Sequence, residues 1–237
     1  MSQIAFGTTP HPEDWLSHTA RPELNGKRLG VLAHTWFKPE KADQLEPIFG
    51  TITDIAVEEP TCLVLDANQS LQDPLHNMMY EEWQDYDEFF ETQLKRPYRM
   101  AFLRWLMPVM SAPIAAEFYE VLHRDGDFGS GSATVVLSGK IPNAAADEAS
   151  RLGATYVKAL LTDVSCAGAS VIRSLNDPTH FVVVERWRDR AEIGCNLEDH
   201  PARKDYVSGM AAMTQSGRLN AETFRVHHNP GRFEITN

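Results

Sequence analysis

Apolar and polar positions along the chain alternate in two rhythms, one suited to strands and one to helices. Residues 29–37 form an apolar run of strand length. Pro39 follows, a residue tolerated in the first turn of a helix. Leu45, Ile48, Phe49, Ile52, Ile55 and Ala56 then recur at the 3.6-residue period of a helix with one buried face. Residues 62–67 and 76–83 read as strands around the turn Gln72-Asp73-Pro74. Residues 86–93 open a second helix, interrupted near Pro97, and Phe102, Trp105, Leu106 and Val109 carry its apolar stripe onward. Residues 117–123 close the series as a strand. The predicted order is β-α-β-β-α-β.

The same order then recurs. Shifting the chain by 104 residues aligns Leu29 onward with Ala133 onward, without gaps, for nearly 80 positions. Identities include Val31/Val135, Asp43/Asp147, Thr51/Thr155, Cys62/Cys166, Asp73/Asp177, Pro74/Pro178, Glu81/Glu185, Trp83/Trp187, Asp85/Asp189 and Pro97/Pro201. Turn residues fall on turn residues and apolar blocks on apolar blocks. The reading is an N-terminal extension (1–28), a first repeat (29–124), a Gly/Ser-rich flexible linker (125–132), a second repeat (133–229) and a C-terminal tail (230–237). A four-stranded antiparallel sheet with two helices leaves one face to be covered. The expectation is therefore that the halves pair sheet to sheet as a barrel.

Composition narrows the function classes. A net charge of −11 argues against a general phosphate-binding surface, and so against nucleic acid as a partner. No run approaches the length of a membrane span, and residues 1–26 lack the apolar core of a secretory signal. The three cysteines, Cys62, Cys166 and Cys195, show no C-x-x-C spacing. These features fit a soluble cytoplasmic protein in a reducing compartment.

The segment His180-Phe181-Val182-Val183-Val184-Glu185-Arg186-Trp187-Arg188-Asp189 is an apolar strand ending in Glu-x-Trp-x-Asp, and Met79-Tyr80-Glu81-Glu82-Trp83-Gln84-Asp85 is a weaker copy. With the Asp-Pro turns and the prolines at 97 and 201, this pattern resembles the antibiotic biosynthesis monooxygenase superfamily across nearly the whole chain. The resemblance implies an α+β fold: two tandem ferredoxin-like βαββαβ units forming an intramolecular dimeric α/β-barrel. It also implies one of three activities. The first is cofactor-free monooxygenation of a small aromatic or quinone-like molecule. The second is a non-catalytic binding or accessory role. The third is haem binding or degradation. The haem-degrading branch has an Asn on its first strand, and neither first strand here carries one; only His200 stands where a ligand could.

Glu and Trp two residues apart on a strand share a face, and their repetition in both halves points to a fold-maintaining pair, with the Glu bonded to backbone or Arg. No helix carries H-x-x-x-H, and His227 and His228, adjacent on a strand, point to opposite faces. Neither a metal nor a cofactor is therefore expected. The first half is richer in aromatics. His34 is the candidate base that would form an electron-rich substrate anion. Trp36, Tyr80, Tyr98, Trp105 and Tyr119 are the candidate substrate-binding residues, the last four near the gap between helices and sheet. The second half has Ser138, Lys140 and Gly209 in place of His34, Trp36 and Trp105. The expected partner is a small-molecule ligand held in the first half, with pairing of whole chains into a homodimer left open.

Overall fold

The computed structural model describes residues 22–189, 200–214 and 216–227. The predicted N-terminal extension up to Arg21, the C-terminal tail, His228, Cys195 and Asn196 lie outside them. The chain divides into two compact units, one reaching Phe118 and including His227, the other spanning Tyr119–Val226.

In the first unit β1 (Leu29–Trp36) and β2 (Cys62–Ser70) both pair antiparallel with the central β3 (His76–Trp83). The helix between β1 and β2 is α1 (Leu45–Ala56), preceded by a 3₁₀ turn at Pro39–Gln44. Its stripe Leu45, Ile48, Phe49, Ile52 and Ala56 is 0–1% exposed. Each large member contributes about 1.5–3 kcal/mol of burial, which holds the helix to the sheet. The second helical region is α2 (Tyr86–Glu91) and α3 (Pro97–Leu106). Asp85 ends the Glu-x-Trp-x-Asp motif by capping α2, its carboxylate accepting from the Glu88 N–H at 2.9 Å. Pro97 sits in the first turn of α3, where no N–H is missed.

The second unit repeats the plan with β5 (Ala133–Lys140), α4 (Ala146–Leu160), β6 (Cys166–Ser174), β7 (His180–Trp187), α5 (Pro201–Met213) and β8 (Asn220–Val226). The strand order β8-β5-β7-β6 is antiparallel throughout. This is the ferredoxin-like order. Both hairpins turn by one device. Asp73 and Asp177 accept from the N–H two residues on (Leu75, Thr179), at 3.0 and 3.1 Å. Ser70 and Ser174 accept from the N–H groups of Asp73 and Asp177. Those side chains satisfy the donors that a tight Asp-Pro turn leaves over.

Residues 125–132 differ from the flexible linker that their Gly and Ser content suggested. β4 (Ala115–Gly126) runs through Asp125, and its stretch from Tyr119 pairs with β6. Phe128 is 2% exposed, with the Arg124 and Arg186 guanidinium carbons 5.1 and 5.9 Å from its ring. Gly126 has φ +86°, and a Cβ there would stand 2.4 Å from the Ala167 carbonyl oxygen. Its glycine serves a left-handed turn and a close approach, which composition cannot distinguish from slack.

Candidate functional site

Paired residues on neighbouring strands share a face. The register Val31–Glu81, Ala33–Met79 and Thr35–Asn77 therefore sets one face of the first unit's sheet, and Leu32–Tyr80, His34–Met78 and Trp36–His76 set the other. The first of these faces meets the helices incompletely. Between them lies a partly enclosed cavity that opens to solvent. Its floor is Val31, Ala33, Thr35, Met79 and Glu81. Phe89, Leu94 and Ile114 form its sides. Arg99, Met100, Phe102, Leu103 and Leu106 of α3 form its roof.

Glu81 and Arg99 are the charged residues of this lining. Arg99 donates to both Glu81 oxygens, Nη2 to Oε2 at 2.7 Å and Nη1 to Oε1 at 3.2 Å. The Trp83 indole N–H donates to Oε2 at 2.8 Å. The Arg99 guanidinium carbon sits 5.0 Å from the Trp83 ring and 5.3 Å from Phe89. Burial opposes the charge on Arg99, but the Glu81 charge and hydrogen bonds, joined by Tyr98, outweigh it and raise its pKa. The wall thus carries a fixed cation beside a carboxylate whose two oxygens are already engaged.

The second unit builds the same pair and adds to it. The Trp187 N–H donates to Glu185 at 2.9 Å, and Arg203 forms its ion pair with the same carboxylate. Tyr156 completes the set, its hydroxyl donating to Glu185 Oε1 at 2.6 Å. The Glu-x-Trp repeat is therefore a structural clamp in both halves, as expected of a feature that recurs under pseudo-symmetry. Its third member, Arg99 and Arg203, was missed from sequence. The signal was available: both are arginines two residues after the repeated prolines, at the same 104-residue offset.

None of the six aromatic or histidine candidates belongs to the cavity lining. His34 and Trp36 lie on the opposite sheet face, where β1 alternation puts them. There His34 Nδ1 is 2.8 Å from His76 Nε2, and His76 stacks on Trp36 with centroids 4.8 Å apart. Burial, then His76, pull the His34 pKa down to about 4, against a smaller opposing effect of Glu117. Tyr80 shares that face and bonds to Glu82. Tyr98 is half-buried on α3, its hydroxyl 3.4 Å from Gln93 Oε1, with its pKa raised to about 12 mainly by burial. Trp105 is 46% exposed on the outer side of α3. Tyr119 is buried in the second unit, against His180. The first half does have a helix–sheet gap, but strand parity sets His34, Trp36 and Tyr80 on the other sheet face and helical phase turns Trp105 to solvent.

His200 stands at the start of α5, 3.5 Å from Asp163 and edge-on to Trp187. His227 stacks on Phe49 and reaches Asn77 Oδ1 at 2.8 Å. Among the described residues no helix is long and apolar enough to cross a membrane.

Comparison with known proteins agrees with this fold. The family model for antibiotic biosynthesis monooxygenase matches residues 28–105 and again 133–200. A candidate monooxygenase from Fusobacterium nucleatum superposes with a TM-score of 0.74 at 12% identity, over 90% of this chain and 99% of its own. One from Lactobacillus acidophilus does so with 0.73 at 8% identity, over 85% and 95%. An anthrone oxidase-like protein gives 0.62 at 18% identity, over 85% and 92%. At such identities the likeness is one of fold. No curated protein matches the chain. The double match covers more than half of the sequence, and the chain belongs to the antibiotic biosynthesis monooxygenase family, with two of its units in tandem.

Proposed function

We propose that the chain is a cofactor-independent monooxygenase, and that its substrate is a small, flat, hydroxylated aromatic or quinone-like molecule bound in the first unit's cavity. The observation that carries this is the cavity itself: a predominantly apolar cleft between helices and sheet, the kind of lining such ligands select, with one fixed guanidinium in its wall. A methylene flanked by aromatic rings loses a proton to solvent, and the Arg99 cation favours the resulting anion, whose charge spreads onto a ring oxygen. The anion supplies electrons to dioxygen and a carbon–oxygen bond forms. Cleavage of the O–O bond then leaves a ketone, and the second oxygen departs with both methylene hydrogens as water. One dioxygen is consumed per substrate, and no outside reductant is needed.

His34 stands outside this scheme, since it faces away from the cavity and its depressed pKa makes it a weak base. The test is oxygen uptake with a hydroxylated anthrone, a probe suggested by the anthrone oxidase-like neighbour. The wild type and His34→Ala are expected to turn over alike, and Leu103→Trp, which fills the cavity roof, is expected to lose the activity. Loss of turnover in His34→Ala would move the chemistry to the other sheet face.

One observation favours a second reading, a binding protein without catalysis. Both Glu81 oxygens are engaged by Arg99 and Trp83, so this wall carboxylate is not a ready base. Saturable binding of the anthrone with uptake no faster than in buffer would select that reading.

A further inference from the structure

The two units share one plan but differ in the residues they set around the Glu-Trp-Arg clamp. At three positions near the clamp the 104-residue offset sets a larger residue in the second unit. Ala33 of the cavity floor corresponds to Leu137, which is 4% exposed within the second unit's core. Phe102 of the roof corresponds to Tyr206. Ile52 of α1 corresponds to Tyr156 of α4. Tyr156 and Tyr206 stack with centroids 4.3 Å apart and planes 7° from parallel, each 2% exposed. The Tyr156 hydroxyl is anchored on Glu185 Oε1 at 2.6 Å, whereas the matching oxygen of Glu81 receives Arg99.

Thr35 of the floor corresponds to Gly139, and there the side chain of Leu219 moves in. A Cβ on Gly139 would lie 2.4 Å from Leu219 Cδ2. Beside the clamp the second unit thus sets the Tyr156 ring and Leu219 where the first unit has Ile52 and Ala115.

We infer that Tyr156 and Leu219 are built-in plugs, so that the chain binds one ligand, in the first unit, while the second unit's equivalent gap is closed by its own side chains. This rests on the reading that the first unit's cavity is the ligand site. Interior side chains pack at crystal-like density, and a ring stack fixed by a hydrogen bond at its far end does not yield to a ligand as a lone apolar side chain can. Duplication would then have left one working site and one scaffold copy, with the Glu-Trp-Arg clamp kept in both.

The experiment is titration calorimetry of the full chain with 8-anilinonaphthalene-1-sulfonate, an apolar aromatic anion. The wild type is expected to bind one probe per chain. Leu103→Trp is expected to bind none. Tyr156→Ile with Leu219→Ala, checked for folding by circular dichroism, is expected to bind two, and Tyr156→Phe, which keeps the ring, one. Two probes on the wild type, or one remaining on Leu103→Trp, would overturn the inference whether or not the double variant folds. A single site without oxygen uptake would sink the oxygenase reading and leave this inference standing. No binding by the wild type would remove the open first gap, and the inference with it.

Discussion

Replacing Arg99 by Met is the sharpest test of the clamp. Arg99 is 8% exposed and holds both oxygens of Glu81, itself 4% exposed, while its guanidinium lies over Trp83 and Phe89. Methionine keeps much of the buried stem, so little of the cost comes from a new void. What is lost is the counter-charge of a carboxylate that stays buried with only the Trp83 N–H to compensate it. Removing one partner of such a pair costs about 3–5 kcal/mol. Glu81→Gln, which strands the guanidinium instead, should cost a similar amount. Against a typical total of about 5–15 kcal/mol, each is a large share of stability. If the two acted independently, the double variant would lose about 6–10 kcal/mol. With both charges gone, no stranded ion is left, and a loss of only about 2–4 kcal/mol is expected, a coupling of several kcal/mol. Urea denaturation followed by tryptophan fluorescence, on wild type, both single variants and the double variant, measures it. Single losses below about 1 kcal/mol that simply add would show a solvated pair and refute the argument.

Two further predictions follow from single residues. The His34 pKa is depressed by burial to about 4 from 6.5, so below pH 6.5 the unfolded chain binds a proton that the folded chain refuses. His34 therefore adds no penalty above pH 6.5, costs up to about 3 kcal/mol as pH falls to 4, and changes nothing further below. The stability difference between wild type and His34→Gln, measured from pH 7 to 4, should drift in favour of the variant, and a difference independent of pH would refute the assignment. Gly126→Ala forces a non-glycine residue to φ +86° with its Cβ 2.4 Å from a backbone oxygen, which should cost about 2 kcal/mol or more. An unchanged urea midpoint would show that residues 125–132 form a slack spacer after all.

The chain shows which parts of a site are legible in sequence. The 104-residue repeat, the strand and helix order, and the Asp-Pro hairpin turns were readable because they depend on local physics: hydrophobic period, proline's fixed φ, and short side chains that bond to their own turn. The Glu-x-Trp pair was readable because a strand repeats every two residues. Arg99 as the partner of Glu81 was not found: the repeat marks Arg99 and Arg203 as a matched pair, but which residue lies across a helix–sheet gap, eighteen positions away, has no local mark. Aromatic richness misled for a related reason. Composition records that Trp105 and Tyr80 are present, but helix phase turns the first toward solvent and strand parity turns the second to the other face.

The sequence by itself thus determined two copies of one α+β unit and the fold family they share, because element order and burial pattern are written residue by residue along the chain. Only the tertiary structure decided where empty space remains. A cavity is what is left between side chains contributed by distant elements: its floor comes from β1 and β3 and its roof from α3, and at the 104-residue offset Ala33 of the floor is matched by Leu137 and Phe102 of the roof by Tyr206. Each is an ordinary exchange of one buried side chain for another, and its meaning appears only when the helix is laid on the sheet.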